Sequence, residues 1–187
     1  MKALEQPRVV LRGLNYAKHH AVIFSVMGIL FLFCEIIIRV VAWPVPSGRI
    51  DMAVMSPWAL VGYTSLWMFP IGGLCGLLVG LMNDKVPAIK LPYQVQVLLG
   101  GLIITVIELL SGLILNVWLN LAIWNYRLLP FNFMGQISLY SSLLWVALTP
   151  LAMWVDDVLR YYIAGAAKPE NFWNYYRDLF RRKRRKT

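Results

Sequence analysis

Four stretches of this chain are apolar for long enough to cross a hydrocarbon core of roughly 30 Å at about 1.5 Å per helical residue. They run from His20 to Ala42, Ser56 to Met82, Tyr93 to Leu119 and Gln136 to Val155. A membrane-spanning segment must satisfy its own backbone, which leaves helices or a closed barrel. A barrel needs many short strands of alternating polarity, whereas these runs are apolar on nearly all sides. The expected fold is therefore all-α: a polytopic membrane protein with four transmembrane helices. With 59% hydrophobic and 14% charged residues, a soluble globular domain is excluded. The first span is too long for the apolar core of a cleavable signal peptide, and no small-residue cleavage pattern follows it.

Basic residues divide unevenly among the connecting segments. Lys2, Arg8, Arg12 and Lys18 precede the first span, Lys85 and Lys90 follow the second, and the tail carries Arg160, Lys168, Arg177 and the run Arg181 to Lys186. The other two loops hold only Arg49 and Arg127. By the positive-inside rule both termini are expected in the cytoplasm, and the net charge of +9 reflects this asymmetry rather than nucleic-acid binding. Three regions follow: a cytoplasmic segment 1–19, a membrane domain 20–155 and a basic tail 156–187. In the tail, Phe172, Trp173, Tyr176, Leu179 and Phe180 form an apolar stripe of a short helix, placed just before Arg181, Arg182, Lys183, Arg184, Arg185 and Lys186. An amphipathic helix followed by such a cluster is expected to lie on anionic cytoplasmic lipids.

Within the first span, FCEIIIRVV places Glu35 and Arg39 where the other residues are apolar. The apolar residues of this span contribute roughly −4 to −8 kcal/mol to insertion, while two central charges cost about 5 to 7 kcal/mol. Insertion is marginal unless the charges are paired. Four residues apart and acid first, they suit a helical ion pair. With the expected topology, Glu108 of the third span reaches the same half of the bilayer, so Arg39 is expected between two glutamates. That trio carries a net negative charge, which a bound proton or cation offsets. Intramembrane ionisable residues mark functional sites by default.

Spacing extends the cluster. Gly101, Thr105, Glu108, Gly112 and Asn116 recur every three or four residues and form one small or polar helix face. Gly72, Gly76 and Gly80 form a helix-packing stripe, and Pro70 beside Gly72 and Gly73 is expected to kink the second helix. The loop after the third span mixes aromatics with amides. Asn120, Trp124, Asn125, Asn132 and Gln136 are expected to close over the Glu108 face as a lid, with Trp67 facing it from the second span. These residues, with Glu35, Arg39, Glu108 and Asn116, form the candidate ligand site, a cavity in the outer half of the membrane expected to take a cation, a polar solute or a lipid head group. No cofactor or metal is expected. Cys34 and Cys75 lie within spans and read as buried thiols. Asp156 and Asp157, at the inner end of the fourth span, are expected to pair with Arg160.

TSLWMFPIGG (Thr64 to Gly73), IELLSG (Ile107 to Gly112) and WNYRLLPFNFMGQISL (Trp124 to Leu139), followed by Trp145, resemble the CmpB-like family of type IV ABC-transporter permeases. The ordered match runs from Gly62 to about Trp145. WNYR stands where that family usually has WDYS, a departure at Asn125 and Arg127, and IGG stands where it has IYG. The resemblance implies transport. No GxxxxGKS/T phosphate loop occurs, so this chain cannot hydrolyse ATP by that route. It is expected to act as a small membrane subunit that forms a homo-oligomer or pairs with a membrane or ATPase subunit. Two other roles stay open: a membrane scaffold or regulatory subunit, and a lipid-modifying enzyme using Glu35 or Glu108 as acid or base. Ser-His-Asp and metal-ligand spacings are absent.

Overall fold

The computed structural model describes residues 16–41, 64–85 and 91–181. Helix α1 spans Tyr16–Val41, α2 Met68–Lys85, α3 Tyr93–Gly112, α4 Leu139–Ala164 and α5 Phe172–Arg177. A π-helical turn, Leu113–Trp118, prolongs α3, and a 3-10 turn, Asp178–Phe180, prolongs α5. The two strands, β1 Asn132–Phe133 and β2 Ile137–Ser138, form a minimal antiparallel hairpin in the long loop before α4. Among the described residues three helical segments are long and apolar enough to cross a membrane: Ala17–Ile37, Tyr93–Trp118 and Leu139–Ala164. A shorter apolar helix, Met68–Asn83, accompanies them. The protein is an all-α integral membrane protein.

The second helix differs from the span expected at Ser56–Met82. Residues 56–63 lie outside the described part, and the helix begins only at Met68. Ser65 opens the turn that leads into it: its Oγ accepts the Trp67 N–H at 3.2 Å, and its carbonyl accepts the Met68 N–H at 3.0 Å. Pro70 consequently occupies the first helical turn, where a missing N–H costs no intrahelical bond. It begins the helix rather than kinking it. The fourth helix runs past its expected end at Val155 to Ala164 and stops at Gly165, whose φ of 69° suits a residue without a Cβ. Its start is fixed by Ser138 and Ser141, each side chain accepting the other's backbone N–H.

Helices α1 and α2 pack antiparallel along the glycine stripe. A Cβ at Gly72 would meet Phe31, and one at Gly76 would meet Met27, so the absent side chains set the interhelical distance. Helix α3 lies against α4, with Gly101 over Val146 and Gly100 over Thr149. Leu98, Leu102, Val106 and Leu110, one per turn on the opposite face of α3, are exposed as a lipid-facing ridge. The principal core joins Cys75 and Val79 of α2, Val97 and Ile104 of α3, and Trp145 and Met153 of α4. The cysteines are free thiols, Cys75 buried and Cys34 half-buried.

Helix α5 folds back on the bundle. Tyr175 is 0% exposed and belongs to the principal core, while Phe172 packs edge-on against Trp154. The sequence stripe grouped Phe172, Trp173, Tyr176, Leu179 and Phe180 on one face. In the structure Phe172, Tyr175, Tyr176 and Leu179 turn toward protein, whereas Trp173 and Phe180 are exposed.

Candidate functional site

Glu108 sits one turn before the end of α3, buried, on the polar face that also carries Gly101, Gly112 and Asn116. Three neutral donors hold its carboxylate. Oε1 accepts the Tyr126 hydroxyl at 2.8 Å, and Oε2 accepts the Trp145 indole N–H at 2.9 Å and the Ser141 hydroxyl at 3.3 Å. An indole N–H is only ever a donor, so this shell is arranged for an accepting oxygen. Ser141 and Trp145 are one turn apart on α4, which Gly101 and Gly100 draw close to α3.

A small chamber opens beside this carboxylate. Its volume is about 20 Å³, room for a water-sized guest, and its wall includes Glu35, Glu108, Trp124, Tyr126 and Trp145. Phe31 stacks on Trp145 with ring centroids 5.3 Å apart and planes at 23°. Both rings also line an apolar groove of about 130 Å³ between α1, α2 and α4. Glu35 is half-buried on the chamber wall. Arg39 lies in α1, but its side chain falls outside the described part, and so does the expected bridge from Arg39 to the two glutamates.

Behind the chamber, Asn116 ties the loop to α3. Its Nδ2 donates to the Trp124 carbonyl at 3.1 Å and to Gln136 Oε1 at 2.9 Å, and its Oδ1 accepts the Ile123 N–H at 2.6 Å. The π-helical turn that carries Asn116 widens the helix end, and the Leu121 N–H reaches back to the Leu115 carbonyl at 2.9 Å. The Trp124 indole donates to the Gln136 carbonyl at 3.0 Å, and Gln136 is buried. This network holds a strained loop: Asn120, Ala122, Phe131 and Met134 all have φ between 52° and 57°. Non-glycine residues in this region persist only where their surroundings over-determine them.

The loop reaches Glu108 through Tyr126 rather than through the amides. Asn125 and Asn132 are spent inside the loop: Asn125 Oδ1 accepts the Arg127 N–H at 2.9 Å, and Asn132 donates to the Leu129 carbonyl at 2.8 Å. Asn120 is exposed, and Trp67 packs on the cluster of Met68, Leu121 and Ile123 without lining the chamber itself. Glu35, Glu108 and Trp124 thus meet at the chamber, and Asn116 and Gln136 brace it. Tyr126, Ser141 and Trp145 complete the carboxylate shell. Their signal in the sequence is their place in WNYR and at i, i+4 of the fourth helix, near the stretches that carry the family resemblance.

A second polar cluster ties the other end of the bundle. Asp156 is buried and pairs with Arg160 at 2.7 Å, as the spacing predicts. Asp157 instead accepts from Asn83 of α2 at 2.8 Å and from Tyr175 of α5 at 2.6 Å. Among the described residues no group of three or more His, Cys, Asp or Glu side chains is placed to hold a metal ion.

A family model described as "Putative ABC-transporter type IV" matches residues 22–175. No curated protein and no solved structure matches the chain.

Proposed function

We propose, from the premise that the chain belongs to the ABC-transporter type IV family, that it is the ligand-binding membrane subunit of a transport system, with the Glu108 chamber as its site. The observation that carries this reading is a buried carboxylate held by Tyr126, Ser141 and Trp145 on one side and bordering a small space on the other. Neutral donors stabilise an ionised carboxylate without cancelling its charge. In hydrocarbon, where an isolated ion is costly, such a group attracts a small cation or the cationic part of a ligand. The chamber's size favours a small cation over a bulky polar solute. Glu35 on the same wall adds a second carboxylate.

The positive-inside rule supports a cytoplasmic α5 end, and in this reading the loop around Trp124 faces outward. The sequence has no phosphate loop, so in an ATP-driven cycle the hydrolysis falls to an ATPase partner. A scaffold or regulatory subunit is the second reading. It draws on the same network, since the bonds from Tyr126 and Asn116 also serve to close a loop on a helix.

Glu108→Gln separates the two. As a ligand site, the variant loses cation response or transport in the reconstituted complex while eluting as a folded, monodisperse species. As a scaffold, it copurifies with unchanged partners and leaves their activity intact.

A further inference from the structure

The C-terminal helix has two faces of different chemistry. Its inner face is fastened to three membrane helices. The Tyr175 hydroxyl bonds Asp157 of α4, and that carboxylate also holds Asn83 of α2. Gln94 of α3 donates to the carbonyls of Asp178, Leu179 and Arg181, at 3.3, 3.0 and 2.8 Å. The Tyr176 hydroxyl donates to the Ala147 carbonyl at 3.2 Å. Asp157 and Ala147 fall within the apolar helix Leu139–Ala164, and Gln94 lies at the start of the apolar segment Tyr93–Trp118, so α5 packs directly against the membrane helices.

The outer face carries Trp173, Arg177, Phe180 and Arg181, at i, i+4, i+7 and i+8. All four are exposed, Trp173 by 71% and Phe180 by 90%. Aromatic rings alternating with guanidinium groups suit the boundary between headgroups and acyl chains: the rings enter the apolar layer and the guanidiniums meet phosphate oxygens. The basic run continues without interruption to Lys186. We propose that this ridge binds anionic phospholipid headgroups, and that the bound lipid holds α5 against the bundle and so couples leaflet composition to the ends of α2, α3 and α4. Charge complementarity selects the occupant, since each basic residue near an anionic surface strengthens association roughly five-fold. Because docking and lipid binding share one helix, each favours the other by the same factor.

The test uses the full-length protein in nanodiscs of phosphatidylcholine alone or mixed with phosphatidylglycerol, with amide exchange of residues 172–181 as one readout and the lipid retained on purification as the other. Phosphatidylglycerol is expected to slow exchange across α5 and to be enriched on the protein. Both effects should weaken at high salt and in Arg177→Gln/Arg181→Gln, whose exposed positions leave folding intact. Asp157→Asn should keep the lipid preference but release the end of α2 near Asn83 from its influence. Equal exchange in both discs, slowing unchanged in the arginine variant, or protection gained only on adding a soluble protein partner would overturn the proposal.

Discussion

At the scale of single residues, the site depends on polar groups that have few alternatives. Asn116 is the clearest case, because its amide serves Trp124, Gln136 and Ile123 at once. Each buried group left unpaired costs about 1–3 kcal/mol. Asn116→Ala should therefore lower stability by roughly 3 kcal/mol, read as a drop in melting temperature in detergent. Tyr126→Phe removes one bond to a charged acceptor and should cost about 1.5–3 kcal/mol by the same principle, with a smaller shift than Asn116→Ala. An equal or larger shift for Tyr126→Phe would place the structural weight on Glu108 instead. Sequence spacing revealed the polar face of α3, since Glu108 and Asn116 lie two turns apart. It could not reveal Tyr126, Ser141 and Trp145 as the carboxylate's donors. Charge alone pointed to Arg39, whereas indole and hydroxyl donors carry no charge and come from segments whose register against α3 only packing fixes.

At the scale of elements, hydropathy located helices but not their boundaries. The apolar stretch before Met68 looks continuous with α2, yet Ser65 caps a turn there and the helix begins late. Pro70→Ala should change stability by no more than about 0.5 kcal/mol, as expected at a position with no backbone bond to restore. A substantial gain would mean that proline interrupts a longer helix. Gly76→Leu should act in the opposite sense. Its side chain enters the space of Met27, and overpacking of this kind costs about 1–3 kcal/mol or more. Loss of folded protein on size exclusion checks it. The π-helical turn was not legible, because its apolar pattern matches that of an ordinary helix. The face of α5 was misjudged for a related reason. Trp173 and Phe180 lie on the edge of the apolar stripe at about 100° per residue, and docking on the bundle buries only the part centred on Phe172, Tyr176 and Leu179.

At the scale of the molecule, two polar clusters close the two ends of an apolar bundle. One fastens α5 to the ends of α2, α3 and α4, and the other fastens a strained loop over Glu108. Such an arrangement keeps a carboxyl group inside a membrane protein while leaving it one small space to face. The sequence made the membrane class and the family legible, since both rest on long apolar runs and on contiguous motifs. The chamber was only half legible, since its walls come from α1, α2, α3, α4 and the loop. The most direct test of its role is the melting temperature of the nanodisc-reconstituted protein across a series of small monovalent and divalent cations, for the wild type and Glu108→Gln. A bound cation stabilises by RT ln(1 + [L]/Kd), about 2.7 kcal/mol at a hundredfold excess over Kd. A cation site at Glu108 predicts a saturable rise with at least one cation in the wild type and none in Glu108→Gln. Melting that ignores every cation, or rises equally in both proteins, contradicts it.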